Sequence, residues 1–264
     1  MSAGRHPSRV VKFGGTSLGT VFRLRRAARR VEALQRAGER VVAVVSARGD
    51  TTDRLVAALG GVSRGGGAPH GRESDRALAS GEDLAAALLA AALTSRGVPA
   101  RSLRGGEAGI AVEGDHGAGE IHRVDAAALR ALVADGLVPV VSGFQGARWD
   151  GETVTLARGG SDTSAVALAA ALAVPCDIVT DVEGVHDRDP NRHRCTRLLA
   201  RLTHQELLAL AASGAKVVSA EAARLAAERG VPLRVYRWDE PLRGPRFGTS
   251  VSPVPPPRFL AEAV

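Results

Sequence analysis

A chain of 264 residues with 45% hydrophobic content can bury the core of one large α/β domain, which excludes wholesale disorder. A net charge of +7 raises the question of nucleic acid, but aromatic residues make up only 3% of the chain, too few for base-stacking platforms. The longest apolar runs, Leu84–Leu93 and Ala165–Pro175, are shorter than a bilayer requires, and residues 1–9 hold no signal-peptide core, so a cytoplasmic protein with no membrane partner is expected.

The first strand is predicted over Arg9–Phe13, ending on Gly14 and Gly15. A helix follows over about Val21–Ala37. Its apolar residues Leu24, Ala27, Ala28, Val31 and Leu34 recur at helical spacing, so the basic run Arg23–Arg30 reads as the solvated face of a surface helix rather than a DNA contact. Val41–Val45 is a continuous β-branched run, hence a buried parallel strand ending at Ser46. Asp50–Asp53 opens another helix, and the glycine-rich segment Gly60–Gly71 reads as a mobile surface loop. A long Ala/Leu helix is predicted over about Ser74–Ser95, then short strands between Pro99 and Val112, a helix near Asp125–Ala134 and the strand Leu137–Ser142. Gln145–Leu156 reads as a hairpin turning at Asp150 and Gly151. An apolar helix to Ala173 follows Arg158–Asp162, and the strand Asp177–Thr180 comes next. Thr203 and Glu206 have the spacing of a capping box for a helix to Ala212. A last helix, the strand Leu233–Tyr236 and a Pro-rich tail complete the pattern. Strands alternating with crossover-length helices imply a mainly parallel sheet covered on both faces. Cys176 and Cys195 are isolated and read as reduced, buried residues with no metal-ligand spacing.

In such sheets ligands collect at the carboxyl ends of the strands, where this chain carries polar, glycine-rich segments. Glycine pairs let backbone N–H groups approach phosphate oxygens, and a helix N-terminus adds positive potential. Neither the Walker pattern nor the dinucleotide pattern is present. Among 35 basic residues only Lys12 and Lys216 are lysines. A compact, rotatable ammonium differs from a guanidinium where it must sit among phosphate oxygens, so these two positions draw the first functional assignments.

Lys12–Ser17, Ser80–Glu82, Val141–Gly146, Arg158–Asp162, Thr180–Val185 and Gly214–Lys216 occur in one order, and this set resembles the aspartokinase branch of the amino acid kinase family from about Val10 to Val251. The resemblance implies a three-layer αβα sandwich around a mainly parallel sheet, with residues 1–252 as the catalytic domain and 253–264 as a tail. It further implies an amino-acid-binding part over about 9–157 and an ATP-binding part over about 158–252. The implied reaction is phosphorylation of the side-chain carboxylate of aspartate by ATP with Mg²⁺, in a homodimer. By the same resemblance Lys12, Asp162 and Lys216 form the catalytic set, and Gly14, Gly15, Ser46, Thr180, Asp181, His186 and Arg188 join the two lysines on the nucleotide. Arg158 is implied as the grip on a substrate carboxylate and Glu82 as the partner of the substrate ammonium, with Thr52, Gly159, Gly160 and Ser161 completing the acceptor pocket. No residue is assigned as a dedicated metal ligand. A substrate carboxylate is already ionised at neutral pH, so no general base is needed.

The sequence departs from the family pattern at Ala157, where a glycine is usual before the arginine, and at His186–Arg188, where a tyrosine is usual near the nucleotide. Arg48 and Asp83 stand where methionine and arginine are common. Members of this branch commonly continue into ACT regulatory domains, whereas Ser252–Val264 is too short for one, so insensitivity to lysine and threonine is expected. The alternatives are a kinase for a related acidic amino acid and a non-catalytic nucleotide-binding subunit. The presence of both lysines with Arg158 and Asp162 argues for catalysis.

Overall fold

The computed structural model describes residues 6–64, 71–188, 195–212, 217–241 and 248–253. Strand β1 (Arg9–Phe13) pairs in parallel with β2 (Val41–Val45) on one side and with β9 (Cys176–Thr180) on the other. Side chains alternate along such strands. Val11, Phe13, Val41, Ala43 and Val45 therefore enter one core, and Val10, Val42 and Val44 enter a second on the opposite face. Lys12 shares the side of Val10.

The first core is closed by α1 (Gly15–Leu18), α2 (Val21–Arg36) and α4 (Arg72–Thr94), and α3 (Thr51–Val62) packs on α4. The second core is closed by α5 (Ala127–Ala134), α6 (Gly160–Leu172), α7 (His204–Ala212) and α8 (Ala220–Arg229). The result is the three-layer αβα arrangement. Beside β1, β2 and β9, the eight-stranded sheet holds β3 (Ala100–Leu103), β6 (Val138–Ser142), β10 (Arg201–Thr203), β11 (Leu233–Arg237) and β12 (Thr249–Ser252). Its order is β10-β12-β11-β9-β1-β2-β6-β3, with only β11 and β12 antiparallel. A second sheet, β5-β4-β7-β8, contains β4 (Ile110–Glu113), β5 (Glu120–Val124) and the hairpin of β7 (Gln145–Ala147) with β8 (Thr153–Thr155). It packs against α4 through β8 and against α6 through β5 and β7.

Several expectations need correction. Gly60 and Gly61 belong to the last turn of α3 rather than to a loop, while residues 65–70 lie outside the described residues. Arg30 is buried, not solvated: it donates to the Glu240 carbonyl at 2.5 Å and stacks on Tyr236, because the chain after β11 folds over α2. Cys176 is buried but Cys195 is exposed. The strands β10 and β12 and the short α1 carry too few residues for a periodic signal, and the five residues of β5 are largely exposed and carry no apolar run. The Thr203–Glu206 capping box forms in both directions, at 2.7 and 3.2 Å. At 23 residues α4 is long and apolar enough to cross a bilayer, yet its inner face packs on the sheet and brings Asp75 and Glu82 inside.

Candidate active site

Lys12 lies one residue before the end of β1, at the centre of the sheet. Beyond it the chain passes through Gly14, the cap of the short α1. The Gly14 N–H donates to the Val179 carbonyl at 3.0 Å, and Ser46 N–H to the Phe13 carbonyl at 3.1 Å. Gly49 N–H donates to the Gly15 carbonyl at 2.9 Å, and a Cβ on Gly15 would lie 2.6 Å from the Ala47 carbonyl oxygen. The loops after β1 and β2 therefore interlock at a spacing that only glycine permits at position 15.

Asp162 approaches Lys12 from the first turn of α6. Gly159 caps that helix in the left-handed region at φ +86°, and a Cβ there would lie 2.3 Å from the Ser219 Cβ. This turn brings Asp162 Oδ1 to 2.6 Å from Lys12 Nζ, while Oδ2 accepts from the Ser219 N–H at 3.2 Å. Both charged side chains are almost withdrawn from solvent. A Cβ on Gly143 would lie 2.9 Å from the Ser161 Cβ, so the end of β6 braces the same turn.

Glu82 enters from α4. Gly81 lets that helix lie close to Ala47, and the Ala47 N–H donates to Glu82 Oε1 at 2.9 Å. Glu82 Oε2 is buried and meets no hydrogen-bond partner among the described residues. Burial pushes the Glu82 carboxyl up from 4.5 to about 7; the Ala47 N–H pulls the other way, and neighbouring Asp83 adds to the rise. An orphaned, buried carboxylate oxygen is costly to keep without a ligand.

A cavity of about 570 Å³ brings Lys12, Ser46, Thr52, Glu82, Arg158, Gly159, Gly160, Ser161 and Asp162 together. Gly14 and Gly15 shape the turn behind Lys12. Thr180 and Asp181 follow the neighbouring strand β9 and lie outside this cavity, with Thr180 Oγ1 donating to Asp181 at 3.1 Å. His186 contacts Thr196 at 2.9 Å and Arg188 is exposed; neither reaches the cavity. Lys216 lies outside the described residues. Beyond β9 a second cavity of about 250 Å³ opens among Glu183, Leu198, Tyr236 and Arg237. The large cavity thus borders the β1-β2-β6 side of the sheet and the small one the β9-β11 side, with Lys12 near the boundary.

Sequence reasoning missed one wall of the large cavity, formed by Ser74, Asp75, His116, Gly117 and Thr155. Asp75 precedes Glu82 by seven residues and so shares its helix face. That spacing was a usable signal; His116, in a loop, offered none.

The Amino acid kinase family model matches residues 8–237. The aspartokinase of Geobacillus stearothermophilus is 43% identical over 244 residues, covering 92% of this chain and 59% of that one. Aspartokinase 2 of Bacillus subtilis (strain 168) is 44% identical over 227 residues, covering 86% of this chain and 55% of that one. The chain therefore spans little more than half the length of these relatives. Among solved structures, the aspartate kinase of Synechocystis superposes with a TM-score of 0.79 at 42% identity, covering 94% of this chain and 40% of that one. E. coli aspartokinase III in complex with aspartate and ADP (R-state) superposes with a TM-score of 0.80 at 26% identity, covering 93% and 64%.

Proposed function

The chain belongs to the amino acid kinase family, and from that premise we propose that it transfers the γ-phosphoryl group of ATP to the β-carboxylate of L-aspartate, giving β-aspartyl phosphate and ADP. One observation carries this reading. The buried Lys12–Asp162 pair shares a single cavity with Arg158 and with the orphaned Glu82 oxygen. The cavity offers opposite charges at separate points, as a zwitterionic acid with a second carboxylate requires.

In this reading Glu82 Oε2 accepts from the substrate ammonium, and the Arg158 guanidinium grips the α-carboxylate, with Thr52, Ser161 and the Gly159–Gly160 turn around them. The β-carboxylate, ionised at neutral pH, attacks the γ-phosphorus while the bond to the bridging oxygen breaks. The Lys12 ammonium stabilises the charge that gathers on the transferring oxygens, and Asp162 holds that ammonium in place. Gly14, Gly15 and Ser46 supply backbone and hydroxyl contacts beside it. Lys216, with Thr180, Asp181, His186 and Arg188, is assigned to the nucleotide, so the acceptor half is about 9–157 and the ATP half about 158–252. A cytoplasmic location suits this chemistry.

No three acidic or histidine side chains converge as a metal cage among the described residues. Asp162 beside Lys12 fits Mg²⁺ carried in on the phosphates, since that ion keeps its waters and takes few protein carboxylates. Bound there, Mg²⁺ neutralises charge on the phosphate oxygens.

A hydroxamate-trapping assay of the purified chain with ATP and a panel of acidic amino acids tests the proposal. Aspartate should give the highest kcat/KM. Preference for another acid, or no product at all, would overturn it.

A further inference from the structure

The Asp75 cluster forms the end of the large cavity to which no role has yet been assigned. Asp75 is buried on α4, and its carboxylate accepts from four donors. Thr155 Oγ1 donates at 2.6 Å to Oδ1; Thr155 N–H at 3.0 Å and Gly117 N–H at 3.2 Å donate to Oδ2. His116 Nδ1 lies 2.8 Å from the same Oδ2. An ionised carboxylate can only accept, so this ring nitrogen carries a proton. The bond fixes the ring and leaves Nε2 without a protein partner among the described residues, on a side chain that lines the cavity.

Glu82, Arg158 and His116 line one cavity, so a substrate held by its ammonium on Glu82 occupies the space that the His116 ring borders. The loop bearing His116 also lies beside the chain that leads to Arg158: Gly119 N–H donates to the Thr155 carbonyl at 3.0 Å, three residues before Arg158.

We propose that His116, oriented by Asp75, is a second reader of the acceptor's α-carboxylate, working beside Arg158. The inference rests on the assignment of aspartate as acceptor. In the proposed complex Nδ1–H donates to Asp75, and Nε2 takes up a proton together with the acceptor so that it can donate to the substrate carboxylate. Asp75 itself is a positioning residue, since it acts through the ring.

His116→Asn separates this role from a structural one, because the asparagine amide can keep the bond to Asp75 while nothing replaces Nε2. Loss of one charge-assisted hydrogen bond should raise KM for aspartate roughly tenfold or more, with KM for ATP, kcat and Tm nearly unchanged. For aspartate α-amide, which lacks the α-carboxylate charge, the same substitution should cost much less. An unchanged KM for aspartate, or equal losses for the two acceptors, would overturn the inference while leaving the reaction intact. A wild-type chain that neither binds aspartate in calorimetry nor forms the hydroxamate would overturn the substrate assignment, and this inference with it.

Discussion

Replacing Glu82 by glutamine should stabilise the fold and weaken the enzyme, and both effects should depend on pH. Burial raises the Glu82 carboxyl from 4.5 to about 7, so between those values the folded state holds a proton that the unfolded state has lost. Stability therefore falls as pH rises from 4.5 through 7, and the full cost of the buried charge is present above 7. At 1.36 kcal/mol per unit that cost is about 3 kcal/mol. The glutamine keeps the bond from Ala47 but buries an amide nitrogen where Oε2 had no partner, which returns about 1–2 kcal/mol of the gain. The net expectation is about 1–2 kcal/mol of stabilisation at pH 8, a Tm increase of about 2–8 °C for a domain of this size; at pH 5 the charge costs less than about 1 kcal/mol, so the amide's cost outweighs it and the variant should melt slightly below the wild type. The acceptor loses a charge-assisted hydrogen bond, so KM for aspartate should rise roughly tenfold to a hundredfold at pH 8. In the wild type, kcat/KM for aspartate should fall as pH drops below about 7, because the ammonium then meets a neutral carboxyl. The dependence of kcat should be weaker, since bound substrate holds the carboxylate ionised. Thermal melts at pH 5 and 8, with steady-state rates from pH 6 to 8.5, test each arm. A flat KM for aspartate across that range, with a glutamine variant that binds aspartate normally, would refute the assignment of Glu82.

Lys12→Arg should lower kcat by roughly a hundredfold or more, comparable to loss of a strong electrostatic stabiliser; a wild-type rate in that variant would remove Lys12 from the transfer site. Arg158→Gln should raise KM for aspartate strongly and leave KM for ATP nearly unchanged, and the reverse pattern would mean that the two half-sites are assigned backwards. Gly159→Ala should destabilise the protein by about 2 kcal/mol or more in denaturant melts, because position 159 has φ +86° and faces Ser219. The same variant should lose kcat, since the Gly159 turn starts the helix that carries Asp162.

Much of the central sheet was legible because its strands are uninterrupted apolar runs between crossover helices, as at Val41–Val45 and Leu137–Ser142. Short elements were not: β10 and β12 have three and four residues, and their existence depends on neighbours distant in sequence. The burial of Arg30 was hidden for a similar reason, since its partners lie about two hundred residues away on the segment after β11. The residues assigned to the acceptor were legible only as an ordered set of motifs. Glu82 alone looks like one more charged residue on an alanine-rich helix, and its significance comes from the close approach at Gly81 that buries it. His116 depends on loop geometry and a carboxylate forty-one residues away, a relation that no local pattern encodes.

The sheet order gives a reason for a lysine at position 12 in a chain whose basic residues, apart from Lys12 and Lys216, are arginines. From β1 the chain runs to β2, β6 and β3 on one side and to β9 and β11 on the other, so β1 and β9 flank the point where the order reverses. Crevices in open α/β sheets form at that point, at the carboxyl ends of the strands. In the proposed reaction Lys12 is therefore placed to face both the acceptor in the large cavity on the β2 side and a nucleotide on the β9 side. Asp162 stands 2.6 Å from Nζ and holds it at the wall of the cavity. A planar guanidinium presents its donors in a fixed fork, whereas in the proposed reaction an ammonium could turn its three donors between Asp162 and the transferring phosphoryl oxygens.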